Sequence, residues 1–177
     1  MIGVSDGSLI GKEHAGFAMR PVQNISGMAQ GMLAGDQSIA KAELIGAWAQ
    51  LRAALKGLIA GGSFHGFVDN EGIVKTLRKA HLMTDRDIKR AKQGRSFLRE
   101  IRHYMCKWPG KITWHWLKSH TLREGPTHKA HNDCDKIAKE MAIARSEMRE
   151  TATPKGEIFA QWDWDLVIIK ENGMKVE

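Results

Sequence analysis

The chain has 177 residues, with 27 Lys and Arg against 20 Asp and Glu, a formal charge of +7 and a sequence pI of about 9.5. At 42% apolar and 27% charged residues it has the composition of a globular domain rather than a disordered tail or a fibrous repeat. No run approaches the ~20 apolar residues of a bilayer span, and Met1 to Arg20 lacks a basic stretch followed by a long apolar one, so neither membrane insertion nor secretion is expected.

In chain order, Ile2 to Ser5, His14 to Arg20 and roughly Gly27 to Leu33 read as three short strands separated by Gly-containing breaks, a meander. Ser38 is a candidate N-cap for a helix running to Gly57, with Leu44, Trp48, Leu51 and Leu55 recurring at helical spacing. Phe64 to Val68 is a short apolar strand that turns through Asp69 and Asn70 into a helix over Ile73 to Ala80. A second helical stretch is expected from Thr84 through Met105, stopped by Trp108, Pro109 and Gly110. Lys111 to Lys118 reads as a strand with Ile112, Trp114 and Trp116 on one face; both tryptophans, like Trp48, are expected in the core. Asp135 to roughly Arg149 reads as a helix, which completes the order βββαβααβα. After Thr153 and Pro154, a hairpin around Asn172-Gly173 is expected as an appendage, dividing the chain into a domain at 1–150 and an extension at 151–177. Cys106 and Cys134 lack metal-ligand spacing and are too few for a disulfide framework, which suits reduced thiols in an intracellular protein.

Four carboxylates stand out. Asp6 follows the first β segment and precedes Gly7-Ser8, where an ordinary turn aspartate is the competing explanation. Glu43 has Ile39, Ala40, Gly46 and Ala47 as its helical neighbours, an apolar setting that is costly for a buried charge. Asp69 sits at a strand-to-helix junction, where open α/β sheets place ligand-binding groups; helix capping is the alternative, although Asn70 is also free for it. Asp135 would lie at the start of the last helix, a position that favours carboxylates through the helix dipole alone. If the four converge, mutual repulsion calls for cations, and hard oxygen donors select Mg²⁺ or Mn²⁺. Paired ions of this kind serve phosphodiester cleavage.

These pieces carry a resemblance. Ser5-Asp6-Gly7-Ser8, Ser38 to Leu44 with Glu43, Phe67 to Asn70, Trp114 to His120, and His131 to Ala138, in this order, make the chain similar to a type 1 ribonuclease H domain over nearly all of residues 1–150. The resemblance implies an α/β ribonuclease H-like fold, with a mixed five-stranded sheet, flanking helices and the terminal hairpin added. It implies an endoribonuclease that cuts the RNA strand of RNA–DNA hybrids, leaving 5′-phosphate and 3′-hydroxyl ends. Two Mg²⁺ ions, for which Mn²⁺ can substitute, would be held by Asp6, Glu43, Asp69 and Asp135, with Glu43 near the RNA 2′-hydroxyl. His120 matches the family's loop histidine and would serve proton transfer to the leaving group or product release; a loop histidine without a task is the alternative.

The chain departs from the family in places. Ile39 and Ala40 stand where many members place Asn or Gln, Ser119 replaces a usual Gly, and the loop from Thr121 to Ala130 is long, with His128 and His131 nearby given no role. The short first strand and the extra hairpin suggest a domain of a retroelement, normally attached to a reverse transcriptase. Between Lys75 and Lys111 there are twelve Lys and Arg against three Asp and Glu, where many members carry a basic protrusion that grips DNA. Hybrid contacts are expected from Ser8, Ser38, Asn70, Arg86, Lys89, Arg90, Lys92 and Arg95, a solvated helix face being the alternative. The domain is read as a monomer. Two other readings stay open: a catalytically silent nucleic-acid-binding module of the same fold, which four intact carboxylates disfavour, and a DNA-directed nuclease or transposase, whose glutamate usually comes later in the chain.

Overall fold

Strand β1 (Ile2–Ile10) lies at the centre of a mixed sheet, hydrogen-bonded antiparallel to β2 (His14–Gln23) and parallel to β4 (Phe64–Val68). The computed structural model describes residues 1–33, 37–118, 125–148, 157–163 and 165–170. Strand β2 continues to β3 (Ala29–Leu33), and β4 pairs in parallel with β5 (Ile112–Trp116). Pairing with β2 along its whole length carries β1 straight through Asp6-Gly7, beyond the end of its pairing with β4 at Ser5. Asp6 therefore sits in mid-strand opposite Ala18, not at a strand end beside a turn as its sequence context suggests.

Helix α1 (Ile39–Ala53) starts at Ser38, whose Oγ accepts from the Lys41 N–H, and a short α2 (Leu55–Ile59) follows. From Lys41 to Gln50 α1 is buried on every side, as befits a helix clamped between a sheet and other helices. Gly7 lets it come this close: a Cβ there would lie 2.7 Å from the Glu43 nitrogen. Helix α3 (Glu71–Lys79) is capped by Asn70, which accepts from the Ile73 N–H, and runs into a 3-10 turn at Ala80–Leu82. The helical stretch expected from Thr84 is two helices, α4 (Asp85–Arg90) and α5 (Arg95–Lys107), divided where Gly94 takes a left-handed φ of 72°. A capping box between Thr84 and Asp87 starts α4.

Helix α6 (Pro126–Glu147) begins well before Asp135, contrary to the expected start, and places that residue in its third turn. Its buried face is His131, Cys134, Ala138, Ala142 and Arg145. The small members of this stripe let α6 lie directly on the sheet, where a Cβ on Gly16 would collide with the Ala138 carbonyl.

The tail is not a free appendage. Strand β6 (Glu157–Trp162) pairs antiparallel with β3, and β7 (Asp165–Lys170) pairs with β6, giving a seven-stranded order β5-β4-β1-β2-β3-β6-β7 in place of five strands. The hairpin reverses between Trp162 and Asp165 and not at Asn172-Gly173, which lies outside the described residues. Ile158, Ala160 and Ile169 join the main apolar core, and Trp162 meets Trp48 edge-to-face at 5.8 Å. Trp48 and Trp114 are core, as expected; Trp116 is 43% exposed and donates its indole N–H to the Asp69 carbonyl at 2.9 Å.

Candidate metal centre

Four elements deliver one chemical group each to the same place. Asp6 comes from mid-β1, Glu43 from the second turn of α1, Asp69 from the end of β4, and His131 from α6. Asp6 and Glu43 are each 3% exposed. One ligand atom from each of Asp6, Asp69 and His131 lies within 4.8 Å of the others. His131 Nε2 stands 3.3 Å from Asp69 Oδ2 and 3.6 Å from Asp6 Oδ2, without the alignment of a hydrogen bond to either. Glu43 Oε2 is likewise buried without a hydrogen-bond partner.

Gln50 fixes α1 in this arrangement. Two turns after Glu43 on the same helix face, its Nε2 donates to Ser5 Oγ at 2.7 Å and to the Phe67 carbonyl at 3.0 Å. This ties α1 to both strands that carry site carboxylates. Cys134, three residues after His131 on the buried face of α6, directs its thiol at the Val4 carbonyl, and burial pushes its pKa up.

The electrostatics follow from that burial. Desolvation drives the Asp6 carboxyl up to about 7; the Asp69 charge adds to the rise, while a hydrogen bond with Glu43 and the His131 charge oppose it. Glu43 is raised well above the usual carboxylate range, first by burial and then by the Asp6 charge. Burial would raise Asp69 too, but the approach of His131 outweighs it and holds that carboxyl low. His131 is raised because the neighbouring carboxylates overcome its own desolvation. Asp135 is half-exposed, approaches Asp6, and pairs with Lys139 Nζ at 2.9 Å. Unpartnered buried donors beside raised carboxyls fit a divalent cation, because binding one would satisfy and ionise them together.

The sequence-derived candidates thus fall into four groups. Asp6, Glu43 and Asp69 converge, and Asp135 stands at their margin. Ser38 and Asn70 act as N-caps, Ser38 also bonding to Gln93, while Ser8 is half-buried in β1 opposite Gly16. Arg86, Lys89, Arg90, Lys92 and Arg95 are exposed on and between α4 and α5, across a groove of about 400 Å³ bounded by Lys41, Leu44, Thr76 and Lys92. His120 lies outside the described residues. Sequence reasoning missed His131 and Gln50; the signals were a histidine four residues before Asp135 and an amide seven residues after Glu43 on the same helix face.

No protein-family model and no curated protein matches the sequence. Solved structures do match in shape. The RNase H domain of prototype foamy virus aligns over 81% of this chain and 94% of its own, with a TM-score of 0.59 at 17% identity. The N-terminal RNase H domain of a Mycobacterium tuberculosis protein aligns over 82% and 96%, with 0.54 at 15%. The foamy viral protease-reverse transcriptase in complex with an RNA/DNA hybrid aligns over 81% of this chain and 20% of that one, with 0.52 at 13%. The chain has the ribonuclease H-like fold.

Proposed function

We propose that the chain is a divalent-metal-dependent endoribonuclease that hydrolyses the RNA strand of RNA–DNA hybrids. The observation that carries this reading is the convergence of Asp6, Glu43 and Asp69 in a ribonuclease H-like fold, with Asp135 beside them and with Glu43 Oε2 and His131 Nε2 buried without hydrogen-bond partners. Asp6, at the centre, would bridge two ions, with Glu43 and Asp69 holding the first and Asp135 the second. When bound, such ions activate water and stabilise the charge that develops on the leaving oxygen.

The chain's own residues supply the rest. Glu43, fixed by Gln50 and Gly7, approaches the 2′-hydroxyl that marks the RNA strand. Water attacks phosphorus, the bond to the 3′-oxygen breaks, and that oxygen takes up a proton that His120 would donate. The products carry a 5′-phosphate and a 3′-hydroxyl. The exposed cations of α4 and α5 hold the backbone of the hybrid, as expected for a relative in shape of a domain solved with such a duplex. A retroelement setting, with a reverse transcriptase in the same polypeptide, accords with the same likeness.

Purified protein with Mg²⁺ should cut the RNA strand of a labelled hybrid, and EDTA or Asp69→Asn should abolish cutting. Cleavage of duplex DNA at the same rate, or full activity in Asp69→Asn, would reject the proposal.

A further inference from the structure

We propose that His131 is a metal ligand, so that the first ion is held by one imidazole nitrogen together with Asp6 and Asp69, and that this mixed set favours Mn²⁺ over Mg²⁺. The inference rests on the metal-dependent reading above and adds a donor to it. His131 is 5% exposed, on the inward face of α6, one helical turn before Asp135.

Its Nε2 is buried without a hydrogen-bond partner and is aimed between two carboxylates. A histidine serving only as a counter-charge would donate along a straight line to one carboxylate oxygen. Here the nitrogen stands off both, at 3.3 and 3.6 Å. Adjacent N and O donors around one small divalent ion at ~2.1 Å are separated by about 3.0 to 3.5 Å; the 3.3 Å to Asp69 lies within that range and the 3.6 Å to Asp6 just beyond it, so a small inward shift would let the three share an ion. Glu43 Oε2, also buried and unpartnered, faces the same cluster and can complete the set with oxygen.

The donor chemistry sets the preference. Mg²⁺ is a hard ion that selects oxygen and gives up water reluctantly, whereas first-row transition ions accept imidazole beside carboxylate. Asp135, half-exposed and paired to a lysine, leaves the second position as an oxygen site.

The test uses the full chain, stripped of metal and titrated with Mn²⁺ at pH 8. Binding is followed by the loss of the free-ion electron paramagnetic resonance signal, and pulsed measurements on the loaded protein detect any directly bonded nitrogen. Wild type should show nitrogen coupling. His131→Asn should lose that coupling and bind Mn²⁺ about tenfold or more weakly, while Mg²⁺ affinity, read by competition, changes much less. His131→Gln provides a second variant if the first folds poorly by circular dichroism. Absence of nitrogen coupling in loaded wild type, or its persistence in a folded His131 variant, overturns the assignment. Asp6→Asn separates the two levels of the argument. If Asp6→Asn loses Mn²⁺ while the His131 variants keep it, only the histidine ligand fails. If Asp6→Asn binds Mn²⁺ like wild type, the carboxylate centre and the proposed function fail with it.

Discussion

Asp6, Glu43 and His131 each hold a proton more tightly in the folded, metal-free chain than in water. For a carboxyl raised in this way, folding is increasingly disfavoured as pH climbs from its unfolded value near 4 towards its folded one, about 7 for Asp6. The histidine contributes stability that is full below ~6.5 and is lost as pH rises through its higher folded value. The three act in the same direction. Asp69, held low beside His131, loses its contribution only as pH falls below its ordinary value, outside this window. Asp135, on α6, also faces Asp6 and His131. His115 is lowered by burial and works the other way on acidification, so the Asp6→Asn variant is the proper reference. In EDTA the melting temperature of wild type should fall from pH 5 to pH 8, Mn²⁺ should restore it at pH 8, and Asp6→Asn should make the profile shallower, with Glu43 and His131 still contributing. A wild-type profile as flat as the variant's would contradict the electrostatics of the cluster. Glu43 was legible in the sequence because it interrupts an apolar helix face, whereas Asp6, Asp69 and Asp135 each fit an ordinary local role and stand out only through the ordered resemblance. Sequence alone gives His131 no role because the expected helix starts at Asp135, and only the start of α6 at Pro126 puts the two residues one turn apart on one helix.

At the scale of elements, local signals were overridden wherever a neighbour supplied hydrogen bonds. Asp6-Gly7 reads as a turn, yet β1 continues through it because β2 pairs along its whole length while β4 pairs along its first half. The break at Gly94 was missed because the apolar spacing from Ile88 to Met105 resembles one helix. The tail shows the same effect. Asn172-Gly173 is a strong local hairpin signal, but the reversal falls nearer β3, where Asp163 takes a φ of 54° and its Oδ1 accepts from the Met28 N–H at 3.0 Å. Gly27 fits against that carboxylate with a φ of 115°. The hairpin covers what would be the edge strand β3 and closes the core over Trp48. Deleting residues 151–177 should therefore lower the melting temperature by several degrees, consistent with exposing apolar surface whose burial contributes a few kcal/mol, and promote association through the exposed edge. Calorimetry with light scattering checks this. An unchanged melting temperature and a monomeric scattering signal would show that the tail is dispensable for stability.

Over the whole molecule, the charge of +7 is unevenly placed. The twelve Lys and Arg between Lys75 and Lys111 lie largely on exposed parts of α3, α4 and α5, although Arg102 is bound to Asp85 and Arg78 to the Trp114 carbonyl. The acidic cluster lies instead at the heart of the sheet. Under the proposed function, the exposed cations would hold backbone phosphates, and the anionic centre would need metal before a phosphate could approach. Reversing Arg90, Lys92 and Arg95 to Glu should weaken hybrid binding and reduce the salt dependence of log K by about two to three, near one unit for each phosphate that is no longer neutralised. A slope equal to that of wild type would remove these residues from the interface. Mapping the products from a hybrid labelled on each strand in turn, with Mg²⁺ or Mn²⁺ present, decides whether the chain is a hybrid-directed ribonuclease. The expected products are RNA fragments with 3′-hydroxyl ends and an intact DNA strand, with none from Asp6→Asn. Cutting of the DNA strand, 3′-phosphate ends, or undiminished products from Asp6→Asn would contradict the proposed function.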